Sequence, residues 1–113
     1  MGNLWSKRLT LITLGVIIFL MIKTFADKET EKLFRRTFSR KLPPNVQLVA
    51  RMKLEILDAV EDLQDLRVQP GNRLEKLSGD RAGQYSIRIN DQWRICFVWR
   101  QENAYDVEIA DYH

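Results

Sequence analysis

The chain has 113 residues, 45% of them hydrophobic and 29% charged, which is room for one globular domain and excludes a disordered or fibrous protein. One cysteine, Cys96, and one histidine, His113, exclude an internal disulfide and any zinc site built from several thiolates or imidazoles, so neither a metal nor a cofactor is expected. The net charge of +3 hides blocks of sign. Residues 23–53 carry nine bases against three acids, residues 54–66 carry five acids (Glu55, Asp58, Glu61, Asp62, Asp65) and no base, and six of the seven bases after residue 66 are arginines. Such blocks suit two partners, one anionic and one cationic, although each alone is also what an ordinary solvated helix face looks like.

Lys7 and Arg8 precede a 14-residue run, Leu9 to Ile22, of apolar residues, threonines and one glycine. As a helix it spans about 21 Å, short of the ~30 Å hydrocarbon core of a bilayer. Three readings follow. Translation starts at Met21 and residues 1–20 are upstream sequence read in frame; or the run tethers the protein to a membrane through residues 9–22; or it is a signal peptide cut after Thr24-Phe25-Ala26. The segment Met21–Phe25 alternates apolar and polar as a first strand does, and cleavage after Ala26 would delete it. The Met21 start is favoured, with residues 1–20 as an apolar extension and 21–113 as the domain.

Asp27 is a good N-cap, and Glu29 and Glu31 suit the positive end of a helix. Thr30, Leu33, Phe34, Thr37 and Phe38 recur at helical spacing and predict a helix to about Arg40. Pro43-Pro44 breaks it, and a second helix is predicted from Asn45 to Leu66 with Val46, Val49, Ala50, Ile56, Val60 and Leu63 as its buried stripe. Two helices joined by a short proline turn pack as an antiparallel hairpin. After Pro70-Gly71 the period changes to two. Arg73–Leu77 reads as a short strand and residues 78–83 as a loop. Gln84–Asn90 places Tyr85, Ile87 and Ile89 inward against Ser86, Arg88 and Asn90 outward. Beyond a turn, Trp93, Ile95, Phe97 and Trp99 share one face, with the aromatics as core rather than base-stacking platforms. Tyr105, Val107 and Ile109 supply the last strand. A helical hairpin followed by an antiparallel meander is an α+β domain with the helices on one sheet face.

Three pieces carry a resemblance. Leu77-Ser78-Gly79-Asp80-Arg81-Ala82-Gly83-Gln84-Tyr85-Ser86-Ile87-Arg88-Ile89-Asn90, followed by Trp93-Arg94-Ile95-Cys96-Phe97, resembles the central hairpin of HigB-type toxins of the RelE/ParE superfamily. The ending Asp111-Tyr112-His113 is similar to their C-terminus, and Ile22-Lys23-Thr24-Phe25 to their first residues. The resemblance covers residues 21–113. It implies the RelE/ParE-like fold, a toxin of a type II toxin–antitoxin pair that cuts mRNA in the ribosomal A site, and a cytoplasmic location. It also implies a helix-turn-helix antitoxin partner, HigA-like, through which alone operator DNA is bound. A membrane becomes a partner only if residues 1–20 are made.

Cutting RNA without a metal requires the 2′-hydroxyl to attack the neighbouring phosphate. A proton must be removed, phosphate charge neutralised and the leaving 5′-oxygen protonated. His113 is the one side chain whose ordinary pKa lies near neutrality, so it is the natural acid or base. Asp111 is placed to accept a proton or orient the ribose, and Tyr112 to stack on a base or hold the phosphate. Arg94, the arginine of the family's Trp-Arg-Ile pattern, joins them as a catalytic residue. Arg81, Arg88 and Lys76 are expected to bind RNA phosphates, guanidinium forks being suited to phosphate oxygens. The bland alternative pairs these strand arginines with Asp106 or Glu108. Some family members have histidine in the segment where this chain has Glu75, and others have lysine where it has Ser78. Glu75 is either a substitute base or, more in keeping with exposed surfaces, a salt-bridge partner of Arg73 or Lys76. The basic residues Arg35, Arg36, Arg40, Lys41, Arg51 and Lys53 are expected to dock on ribosomal RNA, and the acidic run 54–66 to meet a basic antitoxin surface. Two other functions fit the same fold: a non-enzymatic, ParE-like inhibitor of DNA gyrase, which the Asp-Tyr-His ending disfavours, and a degenerate, membrane-associated binding module.

Overall fold

A computed structural model describes residues 9–11, 17–19 and 22–112, with side chains from Ile22 to Tyr112. The first helix, α1 (Lys28–Phe34), starts where the N-cap predicts: Asp27 Oδ1 accepts from Thr30 N at 2.7 Å. It stops six residues before the expected end. Arg36 turns left-handed at φ 67, with Arg36 N donating to Leu33 O and Thr37 N to Lys32 O, a C-terminal motif that usually selects glycine. Thr37 and Phe38 therefore leave the helical face, and both are exposed.

The predicted second helix is two. α2 (Pro44–Ala59) ends as Val60 turns extended at ψ 144, and α3 (Leu63–Val68) begins behind a reciprocal capping box of Asp62 and Asp65. The buried face of α2 is Val46, Gln47, Ala50, Leu54 and Leu57. Val49 lies outside it and is exposed, while Ile56, Val60 and Leu63 pack only at the margin of the core. The chain between α1 and α2 runs back along α2. Gln47 accepts from Ser39 N and donates to the carbonyls of Ser39 and Leu42, which closes the helical hairpin.

Four antiparallel strands follow in sequence order: β3 (Glu75–Lys76), β4 (Tyr85–Arg88), β5 (Trp93–Arg100) and β6 (Asn103–Asp111). The strand expected over 73–77 shrinks to two residues because Arg73 is left-handed at φ 43 after the 3-10 turn Pro70–Asn72. Gly79 and Gly83, both at positive φ, turn the loop between β3 and β4. Ile87, Ile95, Phe97 and Ile109 form the face under the helices, joined by Leu33, Leu54, Leu57 and Leu66, with Trp93 and Trp99 packed at its edge.

The first strand of the domain is present as a parallel addition to β6, with bridges Ile22–Ala104 and Phe25–Val107. Strand β6 carries one extra residue opposite Phe97, with Asp106 at φ 53, and the hydroxyl of Thr24 accepts the displaced Asp106 N at 2.8 Å. Within the N-terminal run, β1 (Leu9–Leu11) and β2 (Ile17–Phe19) pair antiparallel in a sheet of their own. The rest of residues 1–21 lie outside the described residues. Among the described residues, no helix is long and apolar enough to cross a membrane.

Candidate active site on the outer sheet face

The strand residues that point away from the helices are Ser86 and Arg88 on β4, Arg94 and Cys96 on β5, and Glu108 and Ala110 on β6. Arg88 and Arg94 are direct cross-strand partners, as their shared parity predicts. Sequence reasoning had Ser86 simply facing outward. It is fully buried, because the Arg94 side chain lies over it.

Among the described residues Arg94 is held by three hydrogen bonds from its guanidinium. Its Nε donates to Ser86 Oγ at 2.7 Å, and its Nη2 donates to Arg73 O at 2.6 Å and, at 3.4 Å, to Ser86 O. Only 8% of the residue is exposed. A buried guanidinium held by neutral acceptors retains much of its positive field. Glu75 Oε1 faces it at 4.0 Å from Nη2. The expected partners of Glu75, Arg73 and Lys76, are not the ones found. Arg73 sits in the left-handed turn and lends its carbonyl to Arg94, while Lys76 is the next residue on a strand and so projects to the opposite side.

The other predicted phosphate ligands are partly committed. Arg81 reaches across the face to Glu108 Oε1 at 3.1 Å and also holds Gln84 Oε1 at 3.0 Å. The Glu108 hydrogen bond is the main reason its pKa rises, and it keeps the guanidinium charged. Arg88 pairs with the exposed Asp91 at the turn. Beneath the Arg81–Glu108 bridge lies Cys96, whose thiol is pushed up chiefly by burial.

Strand β6 carries the predicted catalytic tail to the same end of the sheet. Asp111 is registered with Trp93, its Oδ2 accepts from Gln92 Nε2 at 3.0 Å, and Tyr112 N donates to Gln92 O at 2.6 Å. Tyr112 is exposed and adds a small electrostatic contribution at Arg81. His113 lies outside the described residues. Gln92 was missed as the anchor of the tail. A glutamine in a turn carries no periodic signal.

The proposed docking bases separate. Arg35, Arg36, Arg40 and Lys41 are exposed along one flank of the helical layer, Arg35 paired with Glu31 and Arg36 with Glu55. Arg51 turns inward to Leu33 O at 3.1 Å, where it caps α1. Lys53 donates to Asn72 Oδ1, and burial, followed by the charge of Arg88, lowers its pKa.

A family model described as RelE-like toxin of type II toxin-antitoxin system HigB matches residues 23–113. Over 80 residues the chain is 41% identical to Toxin HigB-1 of Vibrio cholerae serotype O1, covering 70% of this chain and 84% of the relative. Over 95 residues it is 34% identical to Endoribonuclease HigB of Proteus vulgaris, covering 82% of this chain and all of the relative. Among solved structures it is similar to the YoeB-YefM complex from Staphylococcus aureus, with a TM-score of 0.51 and 19% identity over 81% of this chain and 97% of that one.

Proposed function

Because this chain belongs to the RelE-like toxins of type II toxin–antitoxin systems, HigB type, we propose that it is an endoribonuclease that cuts mRNA on the ribosome, with the outer sheet face as its site. The relative from Proteus vulgaris is named for the nuclease activity. The observation that carries the reading is the placement of Arg94. It is a buried, neutrally ligated guanidinium directly opposite Arg88, on the face toward whose end Asp111 and Tyr112 are tied by Gln92.

In this reading the scissile phosphate lies against Arg94, which offsets the charge that builds as the 2′-oxygen attacks. Glu75, which faces Arg94, takes the hydroxyl proton, whereas Asp111 is registered with Trp93 on the helix side of the sheet. His113 gives a proton to the leaving 5′-oxygen, so the products are a 2′,3′-cyclic phosphate and a 5′-hydroxyl. Tyr112 stacks on a neighbouring base. Arg81 and Arg88 hold the flanking phosphates, Lys76 being on the other side of the sheet, and the exposed bases Arg35, Arg36, Arg40 and Lys41 meet ribosomal RNA, without the inward Arg51 and the Asn72-bound Lys53. The antitoxin is a helix-turn-helix protein encoded alongside. The toxin acts in the cytoplasm.

The test is induced expression with mapping of mRNA 5′ ends. Codon-phased cuts that vanish in His113→Ala or Arg94→Ala variants are expected. Growth arrest with intact transcripts and damaged chromosomes would instead mark a gyrase poison.

A further inference from the structure

Alternation along β6 assigns Tyr105 to the buried face with Val107 and Ile109, and the structure puts it on the other side. The extra residue of β6, Asp106 in left-handed geometry at φ 53, reverses the parity of the residues before it. Tyr105 is therefore the cross-strand partner of Val98 on the outer face, while Ala104, opposite Trp99, is buried in the core. Arg100 has the same parity as Val98 and Arg94, and its guanidinium lies over the Tyr105 ring with Cζ 4.3 Å from the centroid. The two side chains form a shelf, a half-buried tyrosine beneath an exposed arginine.

We infer that this shelf holds a nucleobase of the single-stranded RNA whose phosphates lie at Arg94 and Arg88, the base stacking on the Arg100 guanidinium with the tyrosine ring as its backing. This rests on the nuclease reading above and adds a second point of contact along the strand. Arg94, Cys96, Val98 and Arg100 succeed one another on one face of β5, so the shelf is in line with Arg94, and Val98 lies roughly 13 Å from it along the strand. A base held there belongs to a nucleotide further along the RNA than the pair joined by the cut phosphate.

The chemistry of the shelf selects a base over a phosphate. A guanidinium plane laid on an aromatic ring is a flat cationic surface that suits the π-face of any base and reads no sequence. An arginine that met phosphate alone would need no ring beneath it. The bulge points the same way, because a non-glycine residue at positive φ is a strained device, and here it turns an aromatic out of the core onto the face that carries Arg94. Between the two ends, the Glu108 carboxylate is offset by Arg81 at 3.1 Å, so RNA running from Arg94 to the shelf meets a compensated charge there.

The test titrates a short 2′-O-methyl RNA oligonucleotide, which lacks the attacking hydroxyl and so is not cut, onto the full chain, with a single abasic residue placed at each position in turn. Arg100→Lys keeps the charge and removes the plane; Tyr105→Leu removes the ring, and Tyr105→Phe keeps it. The wild type and Tyr105→Phe are expected to lose about tenfold in affinity at one abasic position. Arg100→Lys and Tyr105→Leu are expected to bind the intact oligonucleotide about tenfold more weakly, with no further loss from the abasic residue at that position. Arg100→Lys within twofold of the wild type overturns the inference. So does a weakened variant that keeps the wild-type abasic profile, or a wild type with no sensitive position. Codon-phased cleavage by a wild type without a sensitive position ends the shelf and leaves the nuclease reading standing, whereas a sensitive position in a protein that cuts no message does the reverse.

Discussion

The carboxylate of Glu75 stands 4.0 Å from Nη2 of Arg94, the nitrogen that also donates to the carbonyls of Arg73 and Ser86. A carboxylate there is either a counter-ion or the group that accepts the ribose proton, and glutamine separates the two by keeping the shape without the basicity. Glu75→Gln is expected to lower cleavage of ribosome-bound mRNA about 100-fold, within the range for loss of a general base. Its melting temperature should change little, because the carboxylate is exposed and an ion pair of this kind contributes little. Single-turnover cleavage decides it. An unchanged rate leaves Glu75 as a counter-ion.

Arg94 has a structural role as well as an electrostatic one, and two variants divide them. Arg94→Ala strands the Ser86 hydroxyl and the Arg73 carbonyl below the surface, at a cost of about 1–3 kcal/mol. Arg94→Lys keeps the charge but cannot hold both acceptors with a planar fork. The alanine variant should lose both activity and several degrees of melting temperature. The lysine variant should lose at least tenfold in cleavage with a smaller thermal shift. Equal activity for lysine and arginine would make the fork dispensable.

The face that carries these residues was legible from parity alone. Period-two alternation placed Arg88 and Arg94 on one side and Ile87, Ile95 and Phe97 on the other, and the register agrees. The misses share a cause, in backbone conformations adopted by residues that do not advertise them. Arg36 and Arg73 take left-handed geometry without being glycine, so α1 ends early and β3 shortens. The break at Val60 is set by the Asp62–Asp65 capping box, whose two acids read in sequence as part of a charge block on a continuing helix. The Glu75–Arg94 pairing depended on Arg73 turning away, which no local pattern encodes. Val49 was assigned to the core because it is apolar. The stripe that its neighbours Leu48 and Met52 form has the helical spacing of a buried face, and only the fold reveals which of two apolar faces is covered.

Thr30 ties the helical layer to the sheet. Its hydroxyl donates to Asp27 Oδ2 at 3.1 Å and accepts from Ile109 N at 3.0 Å, a contact buried in the core. Thr30→Val keeps the shape and leaves the Ile109 N–H without an acceptor, which should destabilise the domain by about 1–3 kcal/mol. Asp27→Ala removes the cap and should cost ~1 kcal/mol. Chemical denaturation of the two single variants and the double measures both. Because each single variant removes the hydrogen bond from the Thr30 hydroxyl to Asp27 Oδ2, the double variant should lose less than the sum.

Glu29 gives the fold an acid-sensitive contact. The Ser39 hydroxyl donates to its Oε1 at 2.6 Å, and this hydrogen bond, ahead of the Lys32 contacts, lowers the carboxyl pKa in the folded state. With the folded value below the unfolded one, the contribution is complete above the ordinary glutamate value of about 4.3 and is lost as pH falls through the folded pKa. Glu29→Gln is therefore expected to be less stable than the wild type near neutrality and to converge on it under acid. Denaturation midpoints taken from pH 3 to 7 test the convergence; parallel curves would assign the acid response to other carboxylates.

Cys96 reports on the cover of the same sheet face. It is fully buried, and burial is the largest cause of its raised thiol pKa. The nearby Arg81 charge pulls the value down, and Glu108 pushes it up again. A thiol whose folded pKa exceeds its unfolded one stabilises fully below about 8.5, and that contribution is lost as pH rises through the folded value. Native protein should thus resist iodoacetamide at pH 8 and be labelled only as it opens. Arg81→Ala sets two effects against each other: losing the cation disfavours the thiolate, while removing the side chain that bridges to Glu108 exposes the sulfur. Access limits a buried thiol more severely than a modest shift in thiolate fraction, so labelling should accelerate severalfold. Slower labelling in that variant would mean that the guanidinium acts on Cys96 through its charge and that some other group provides the cover.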